Sequence, residues 1–174
     1  RTEVKSILIN GAGGSIGTYG VQLAKHFGAE VTAVDRGEKL DMLRSIGADR
    51  VIDYRETDYT KSPETYDIIF DVVGRRWVRD AVKRLNENGA YLLANPKISQ
   101  LISSKRTAQK HGRKIITGAA KHTPGDLLYL KHLIENGSIR PVIDRTFPLA
   151  DTADAHRYVE SGMKTGNVII RIDR

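Results

Sequence analysis

The chain has 174 residues, of which 40% are hydrophobic and 28% charged, the composition of a globular protein with one well-buried core. It contains no cysteine, which excludes disulfides and cysteine-ligated zinc within these residues. No apolar run approaches the roughly 20 residues that span a bilayer, so we expect a soluble, cytoplasmic protein without a membrane partner.

The formal net charge of +7 comes from 28 basic and 21 acidic side chains, which are scattered along the chain as on an ordinary solvated surface. Two denser basic clusters, over residues 75–84 and 105–114, carry no recognised nucleic-acid-binding motif, so nucleic acid is not favoured as a partner. The five histidines stand far apart and without metal-ligand spacing, and the sequence therefore predicts no metal site.

The first predicted element is a strand over residues 5–10, which leads into a cluster of four glycines and then a segment with helical spacing. Glycine lets a backbone turn tightly and approach a ligand closely, while the amides at a helix N-terminus attract an anion. The strict G-x-G-x-x-G spacing is absent, and in the best register Gly14 approaches the ligand while Gly17 lets the helix pack on the strand. A plain glycine-rich turn is the alternative to a pyrophosphate site. The candidate contacts are Gly11, Ala12, Gly14, Ser15, Ile16 and Gly17.

A second strand over residues 30–35 ends at Asp35, which stands 18 residues after Gly17. Dinucleotide-binding units place an acid about 20 residues beyond the glycine turn, where it binds the ribose hydroxyls. A helix over residues 38–46 and a strand over residues 50–53 complete a β-α-β-α-β unit. This is one mononucleotide-binding half of a dinucleotide fold.

The second half repeats the alternation after a polar connection over residues 54–65. Strands that alternate with helices predict an α/β fold, a doubly wound parallel sheet of the Rossmann type, with ligands at the carboxyl ends of the strands. The predicted elements are a strand over 66–73, a helix over 76–85, a strand over 90–94, a helical run over 98–110 and a strand over 114–118.

The C-terminal part changes character after a helix that begins with Thr123 as N-cap, a proline and an acid, and ends at Asn136. An extended segment, a helix from Asp151 and a final strand do not continue the alternation. We therefore predict a dinucleotide-binding domain over residues 1–139 and a C-terminal extension over residues 140–174 that forms an edge of the sheet or packs on a neighbouring domain.

Five segments stand in this order: GAGGSIGTYGVQLAKHFGAEV, EKLDMLRSIGADRVIDY, YDIIFDVVG, NGAYLLANP and PLADTADAHRYVESGMKTGNVII. Together they resemble the medium-chain dehydrogenase/reductase superfamily, and within it the zinc-free, quinone-oxidoreductase-like branch. The resemblance implies sheet order 3-2-1-4-5-6, binding of NADPH or NADH, and an oxidoreductase that transfers hydride to a quinone, an activated alkene or a carbonyl. A small-molecule substrate follows for the full-length enzyme, and a homodimer is compatible with the sequence.

Members of this superfamily begin with a separate barrel-like catalytic domain, and no segment of this chain resembles it. The first residue is Arg1 and the first strand begins by Lys5, so we expect a cofactor domain cut from a longer protein, whose residues 140–174 pack with the absent domain. We expect the chain alone to bind dinucleotide without turnover. No catalytic proton donor is assigned, because hydride transfer mainly requires that the nicotinamide be held in place.

The resemblance also implies a cofactor preference. Asp35 matches the position that holds the ribose hydroxyls in NAD-using members, where a carboxylate repels a 2′-phosphate. Lys39 and Tyr54 match positions that hold the 2′-phosphate in NADPH-using quinone oxidoreductases, and Arg36 is placed to help. We therefore expect use of both NADP(H) and NAD(H), with a slight lean to NADP(H).

Further family positions fall on Gly74 and Asn95, where the backbone of members passes close to the nicotinamide and its ribose. A basic phosphate contact near the C-terminus of those proteins falls here on Gly162, with Lys164 close by.

Two alternatives to an oxidoreductase domain remain open at this stage. One is a non-catalytic module that binds a dinucleotide for sensing or interaction. The other is an S-adenosylmethionine methyltransferase, which shares the sheet and the acid after the second strand. Methyltransferases usually carry an acid at the end of the first strand, where this chain has Asn10.

Overall fold

The computed structural model describes residues 4–74, 78–94, 113–117 and 123–172. Within them, six strands form one parallel sheet, and their spatial order β3-β2-β1-β4-β5-β6 confirms the predicted doubly wound arrangement. The order reverses between β1 and β4, and this reversal creates a crevice at the carboxyl ends of the strands. The strands are β1 (Ser6–Asn10), β2 (Glu30–Asp35), β3 (Arg50–Asp53), β4 (Tyr66–Asp71), β5 (Leu85–Leu93) and β6 (Lys114–Thr117).

The helices of the described residues include one whose N-terminus was predicted in detail. Thr123 caps it, because the Thr123 side chain accepts from the Asp126 amide while the Asp126 side chain accepts from the Thr123 amide. No helix of the described ranges has the length and apolarity needed to cross a membrane. The helices are α1 (Ser15–His26), α2 (Leu40–Ser45), α3 (Val78–Ala81), α4 (Pro124–Glu135) and α5 (Thr152–Glu160).

The core lies on both faces of the sheet. Leu8 and Ile9 are neighbours on β1 and both are fully buried, yet they belong to two separate hydrophobic clusters. Successive side chains of a strand point to opposite faces, so each cluster covers one face. Burial on both sides is the signature of a parallel sheet covered by its crossover connections.

Two predicted element boundaries are wrong around β5. In the described part of the helix predicted over 76–85, α3 ends at Ala81 and a 3₁₀ turn, Val82–Arg84, follows it. The strand starts at Leu85 rather than at residue 90. Between its pairings with Tyr66 and Ile68 the strand bulges, and Asn88, with a positive φ of 65°, lies within this stretch. Apolar periodicity does not report such a register shift. The predicted helical run over 98–110 lies outside the described residues.

The polar connection after β3 is more ordered than predicted. It contains a 3₁₀ turn, Tyr59–Lys61, that Asp58 caps by accepting from the Thr60 amide at 3.0 Å. Tyr59 is only 4% exposed and joins one of the two core clusters, so the connection also contributes to the core.

The segment between β2 and α2 also differs from the prediction. Another 3₁₀ turn, Gly37–Lys39, replaces the first turn of the helix predicted over residues 38–46.

The C-terminal part does not extend an edge of the six-stranded sheet. Instead β7 (Ile143–Pro148), α5 and β8 (Asn167–Arg171) form a β-α-β unit with its own two-stranded parallel sheet, which we call the C-terminal unit. Its connection over residues 161–166, which we call the α5–β8 loop, lies on the glycine turn, because the Gly166 amide donates to the Gly13 carbonyl at 2.9 Å. The predicted division at residue 140 stays a prediction.

Candidate functional site

A cavity of about 630 Å³ opens where β1, β2 and β4 end, at the point where the strand order reverses. This is the position at which open α/β sheets bind ligands. Its lining comes from the glycine turn, the ends of β2 to β4, the connection after β3 and the C-terminal unit: Asn10, Gly11, Gly14, Asp35, Arg36, Lys39, Tyr54, Thr57, Asp58, Tyr59, Val72, Val73, Val159, Glu160, Ser161, Gly162 and Lys164.

The two key glycines of the turn occupy different environments. A Cβ on Gly14 would meet only the Gly11 carbonyl, at 3.7 Å, so the cavity side of Gly14 is open. A Cβ on Gly17 would lie 2.5 Å from the Ala12 Cα, which means that α1 packs on the turn through this glycine. The helix begins at Ser15 with no acidic residue in its first turn, so its positive end is not neutralised there.

Asp35 is held by the main chain rather than left free. It is 7% exposed, and its Oδ2 accepts from the Gly13 amide at 2.7 Å while its Oδ1 accepts from the Arg36 amide at 2.9 Å. The Lys39 ammonium lies 3.7 Å from Oδ1. A Cβ on Gly13 would lie 2.9 Å from Oδ2, so this glycine, which we did not select from the sequence, makes room for the carboxylate.

The basic side chains Arg36 and Lys39 reach across the cavity to the α5–β8 loop. The Arg36 guanidinium donates to the Gly162 carbonyl and lies 3.3 Å from the Met163 sulfur. The Lys39 ammonium donates to the Lys164 carbonyl at 2.7 Å. The C-terminal unit thereby holds Lys39, which the resemblance assigned to a 2′-phosphate, and Arg36, which we expected to help.

Lys164 brings a third cation into the cavity. Its ammonium donates to the Ser15 hydroxyl at 2.8 Å and to the Gly166 carbonyl at 2.6 Å. Partial burial, and after it the charge of Lys39, lowers the pKa of Lys164 below its ordinary value, although Asp144 acts in the opposite direction.

The Asp53 carboxylate holds the 3₁₀ turn that carries Lys39 by hydrogen bonds. The Asp53 carboxylate accepts from the Gly37 amide at 2.7 Å and from the Arg55 guanidinium at 3.0 Å. Hydrogen bonds from the Arg55 side chain and amide, assisted by that of Gly37, lower the pKa of Asp53 to about 2. Arg55 also pairs with Glu38 at 2.9 Å, so two of the three residues of the turn are anchored.

At the end of β4, the buried Asp71 shapes the turn that closes the cavity. Its Oδ1 accepts from the amides of Val73 and Gly74 at 3.0 and 2.9 Å and from the Asn10 side chain at 3.0 Å. The Tyr91 hydroxyl donates to the other carboxylate oxygen at 2.5 Å. Asp71 is therefore a structural acid whose carboxylate orders this turn.

The structure places the predicted site residues differently, and six of them line the cavity. Lining residues are Gly11, Gly14, Asp35, Arg36, Lys39 and Tyr54. The buried members of the predicted set are Ala12, Gly17 and Gly74. Ile16 is 49% exposed, and the Ser15 hydroxyl accepts a hydrogen bond from the Lys164 ammonium. Asn95 lies outside the described residues.

The family resemblance pointed to Tyr54 and to the region of Gly162 and Lys164. The sequence did not identify Thr57, Asp58 and Tyr59 as lining residues, nor the hydrogen bonds between the α5–β8 loop and the glycine turn. Among the described residues no cluster of three or more histidine and acidic side chains could hold a metal ion.

Comparison with known proteins assigns the chain to a family. Residues 46–170 match the family model described as zinc-binding dehydrogenase, which is well over half of the chain. The chain belongs to the zinc-binding dehydrogenase family. The match begins after the glycine turn, so the turn and the family match are independent indications, and together they decide against the methyltransferase alternative.

The relatives are oxidoreductases of the medium-chain dehydrogenase/reductase superfamily. A chloroplastic NADPH-dependent alkenal/one oxidoreductase of Arabidopsis thaliana is 37% identical over 98% of this chain and 42% of its own length. A 2-methylene-furan-3-one reductase of Solanum lycopersicum is 34% identical over 95% of this chain and 40% of its own length. The quinone oxidoreductase structure from Coxiella burnetii superposes with a TM-score of 0.89 at 26% identity, covering 98% of this chain and 55% of that one.

The chain thus spans about half the length of the proteins it matches, or less. These likenesses confirm the predicted superfamily and the fold. The cytoplasmic location, the homodimer and the lack of zinc stay predictions.

Proposed function

We propose that this chain binds a nicotinamide dinucleotide, with NADPH preferred over NADH, as the cofactor domain of an oxidoreductase. The observation that carries the proposal is that Arg36 and Lys39 line the cavity beside Asp35, whose carboxylate is already bonded to two main-chain amides. An acid so engaged repels a 2′-phosphate less than a free one, while guanidinium and ammonium groups attract it.

The residues present fit a dinucleotide. The cavity volume lies within the range typical of small-molecule sites. The open side of Gly14 at the start of α1 would receive the pyrophosphate, and Asp35 would face the adenosine ribose. Arg36 and Lys39 would hold the 2′-phosphate. Tyr54 is 53% exposed on the same side and would cover this end of the ligand.

The acidic lining residues weaken this preference only in part. The Asp58 carboxylate accepts hydrogen bonds from the Thr60 amide and hydroxyl at 3.0 and 2.7 Å. Glu160 is exposed, so water screens its charge. Arg36 is partly exposed, so we expect its charge to contribute about 1 kcal/mol. We therefore expect a preference for NADPH under roughly thirtyfold.

A bound nicotinamide ring would supply the hydride, and the residues of this chain would bind and orient it. The β1 and β4 end of the cavity is lined by Asn10, Gly11, Val72 and Val73, none of which titrates. We propose that the substrate is a quinone or an activated alkene. The likeness to an alkenal/one oxidoreductase of Arabidopsis and a quinone oxidoreductase of Coxiella supports these substrate classes.

We further propose that the C-terminal unit packs against the part of the relatives' length that this chain does not span. Ile143, Leu149 and Met163 of this unit are each more than half exposed, which is a large apolar surface for so small an element.

Calorimetric titration of the chain with NADPH and NADH tests the proposal. We expect NADPH to bind several-fold more tightly than NADH. Arg36→Ala should lower the affinity for NADPH about fivefold and leave the affinity for NADH unchanged. Arg44→Ala is the matched control, because Arg44 is exposed and pairs only with Asp41 among the described residues. Failure to bind either dinucleotide would refute the proposal, and tighter binding of NADH would refute the preference.

A further inference from the structure

We propose that Lys164 is a pyrophosphate contact, supplied to the dinucleotide by the C-terminal unit. This inference rests on the proposed function and adds a residue that acts on a part of the cofactor common to NADPH and NADH. It assigns the α5–β8 loop a direct part in binding.

The first argument is the position of Lys164. Its side chain lines the cavity, and its ammonium lies 2.8 Å from the hydroxyl of Ser15, the first residue of α1. Ser15 follows Gly14, whose cavity side is open. An anion seated at this turn would therefore lie within reach of the ammonium.

The second argument is charge. Arg36 and Lys39 lie on the Asp35 side of the cavity, and Lys39 is within 3.7 Å of that carboxylate. Lys164 has no carboxylate within 4 Å among the described residues, and its partners are a neutral hydroxyl and a carbonyl. A half-buried ammonium beside a second ammonium and a helix N-terminus gains most when an anion joins them.

The two groups of cations would consequently serve different phosphates. Arg36 and Lys39 flank the ribose acid and would bind the 2′-phosphate, which only NADPH carries. Lys164 flanks the glycine turn and would bind the pyrophosphate, which both cofactors carry. Loss of Lys164 should weaken both cofactors by the same factor, whereas loss of Arg36 should change the ratio between them.

Calorimetry with Lys164→Gln, Lys164→Arg and the exposed-lysine control Lys131→Gln tests this assignment, with NADPH, NADH, 5′-ADP and 2′-AMP as probes. We expect Lys164→Gln to lower the affinities for NADPH, NADH and 5′-ADP each roughly tenfold. Its affinity for 2′-AMP should stay unchanged. Lys164→Arg should keep affinities within about threefold of the parent, because the charge is retained. Lys131→Gln should bind all four probes as the parent does, since Lys131 pairs with Glu135 on exposed α4.

The outcomes separate the two proposals. If the parent chain binds no dinucleotide, the proposed function itself fails. If the parent binds but Lys164→Gln binds every probe equally well, Lys164 only fastens the loop and the inference is overturned. A loss confined to NADPH and 2′-AMP would place Lys164 on the 2′-phosphate and would equally overturn it. Circular dichroism and thermal unfolding establish that each variant is folded before it is titrated.

Discussion

Two β-α-β units meet at the cavity, and they are built differently. In the first, β1 and β2 lie inside the six-stranded sheet, and every residue of β2 after Glu30 is buried. In the second, β7 and β8 form a two-stranded sheet in which no residue is fully buried. The first unit is stabilised by a core on both faces, whereas the second depends on contacts with its surroundings.

The two units therefore contribute to the cavity in different ways. The first unit provides a rigid turn whose position is set by packing, as the Gly17 contact with Ala12 shows. The C-terminal unit reaches that turn through hydrogen bonds of Lys164 and Gly166, which are few and partly exposed. We expect the second unit to open more readily than the first and to be the one that ligand binding stabilises.

The largest effect should come from crowding the rigid unit. Gly17→Ala places a Cβ within 2.5 Å of the Ala12 Cα, so we expect a loss of about 3 kcal/mol in the free energy of unfolding, measured by urea denaturation. Gly20→Ala is the control, because its nearest contacts, Ile9 and Phe70, lie at an ordinary 3.5 Å. That variant should be stabilised by up to about 1 kcal/mol. Equal stability of the two variants would refute the packing role of Gly17.

A smaller and local effect should follow in the C-terminal unit. Gly166 has φ of 68°, and a Cβ there would lie 2.7 Å from the Val142 side chain. Gly166→Ala should cost about 2 kcal/mol and speed amide exchange in α5 and β8 but not in β1 and β2. Exchange that rises uniformly through the sheet would contradict the separation of the two units. Gly125→Ala, whose Cβ would make only an ordinary contact at 3.7 Å, serves as control.

The next effect concerns binding and not folding. Gly14→Val adds a branched side chain on the open side of the turn, where we expect the pyrophosphate. Affinity for both cofactors should fall about tenfold, or about 1.4 kcal/mol, with the unfolding midpoint unchanged. Unchanged affinity in a calorimetric titration would mean that the turn is only structural.

The smallest effect should be a pH dependence of stability. The folded-state pKa of Asp53 is lowered to about 2, so its contribution is present above the ordinary carboxylate pKa and is lost as the pH falls from about 4 to about 2. Asp53→Asn should therefore be less stable than the parent at pH 6, with the difference closing toward pH 2. A difference independent of pH would show that charge on Asp53 plays no part.

Local signals in the sequence were sufficient for much of this architecture. Local residues were enough to predict the glycine turn, the strand that ends at Asp35 and the Thr123 cap. The alternation of elements predicted the parallel sheet, which the structure confirmed. The strand order came from the family resemblance. The β5 bulge escaped detection because it depends on how two strands pair.

The site was predictable only where it is local. Spacing from the glycine turn places Asp35 near it, yet nothing in the spacing shows that the carboxylate bonds to the Gly13 amide. Lys164 lies 149 residues from Ser15 along the chain, and only the fold brings them within hydrogen-bond distance. The family resemblance pointed to the region of Lys164, but its contact with Ser15 follows from tertiary packing and not from any local pattern.

Hydrogen exchange of the chain with and without saturating NADPH tests the central claim most directly, because that claim places the dinucleotide between the glycine turn and the α5–β8 loop. The account predicts slower exchange in both residues 11–17 and residues 161–166, with little change in α4. Slower exchange in the glycine turn alone, or in neither segment despite measured binding, would contradict it.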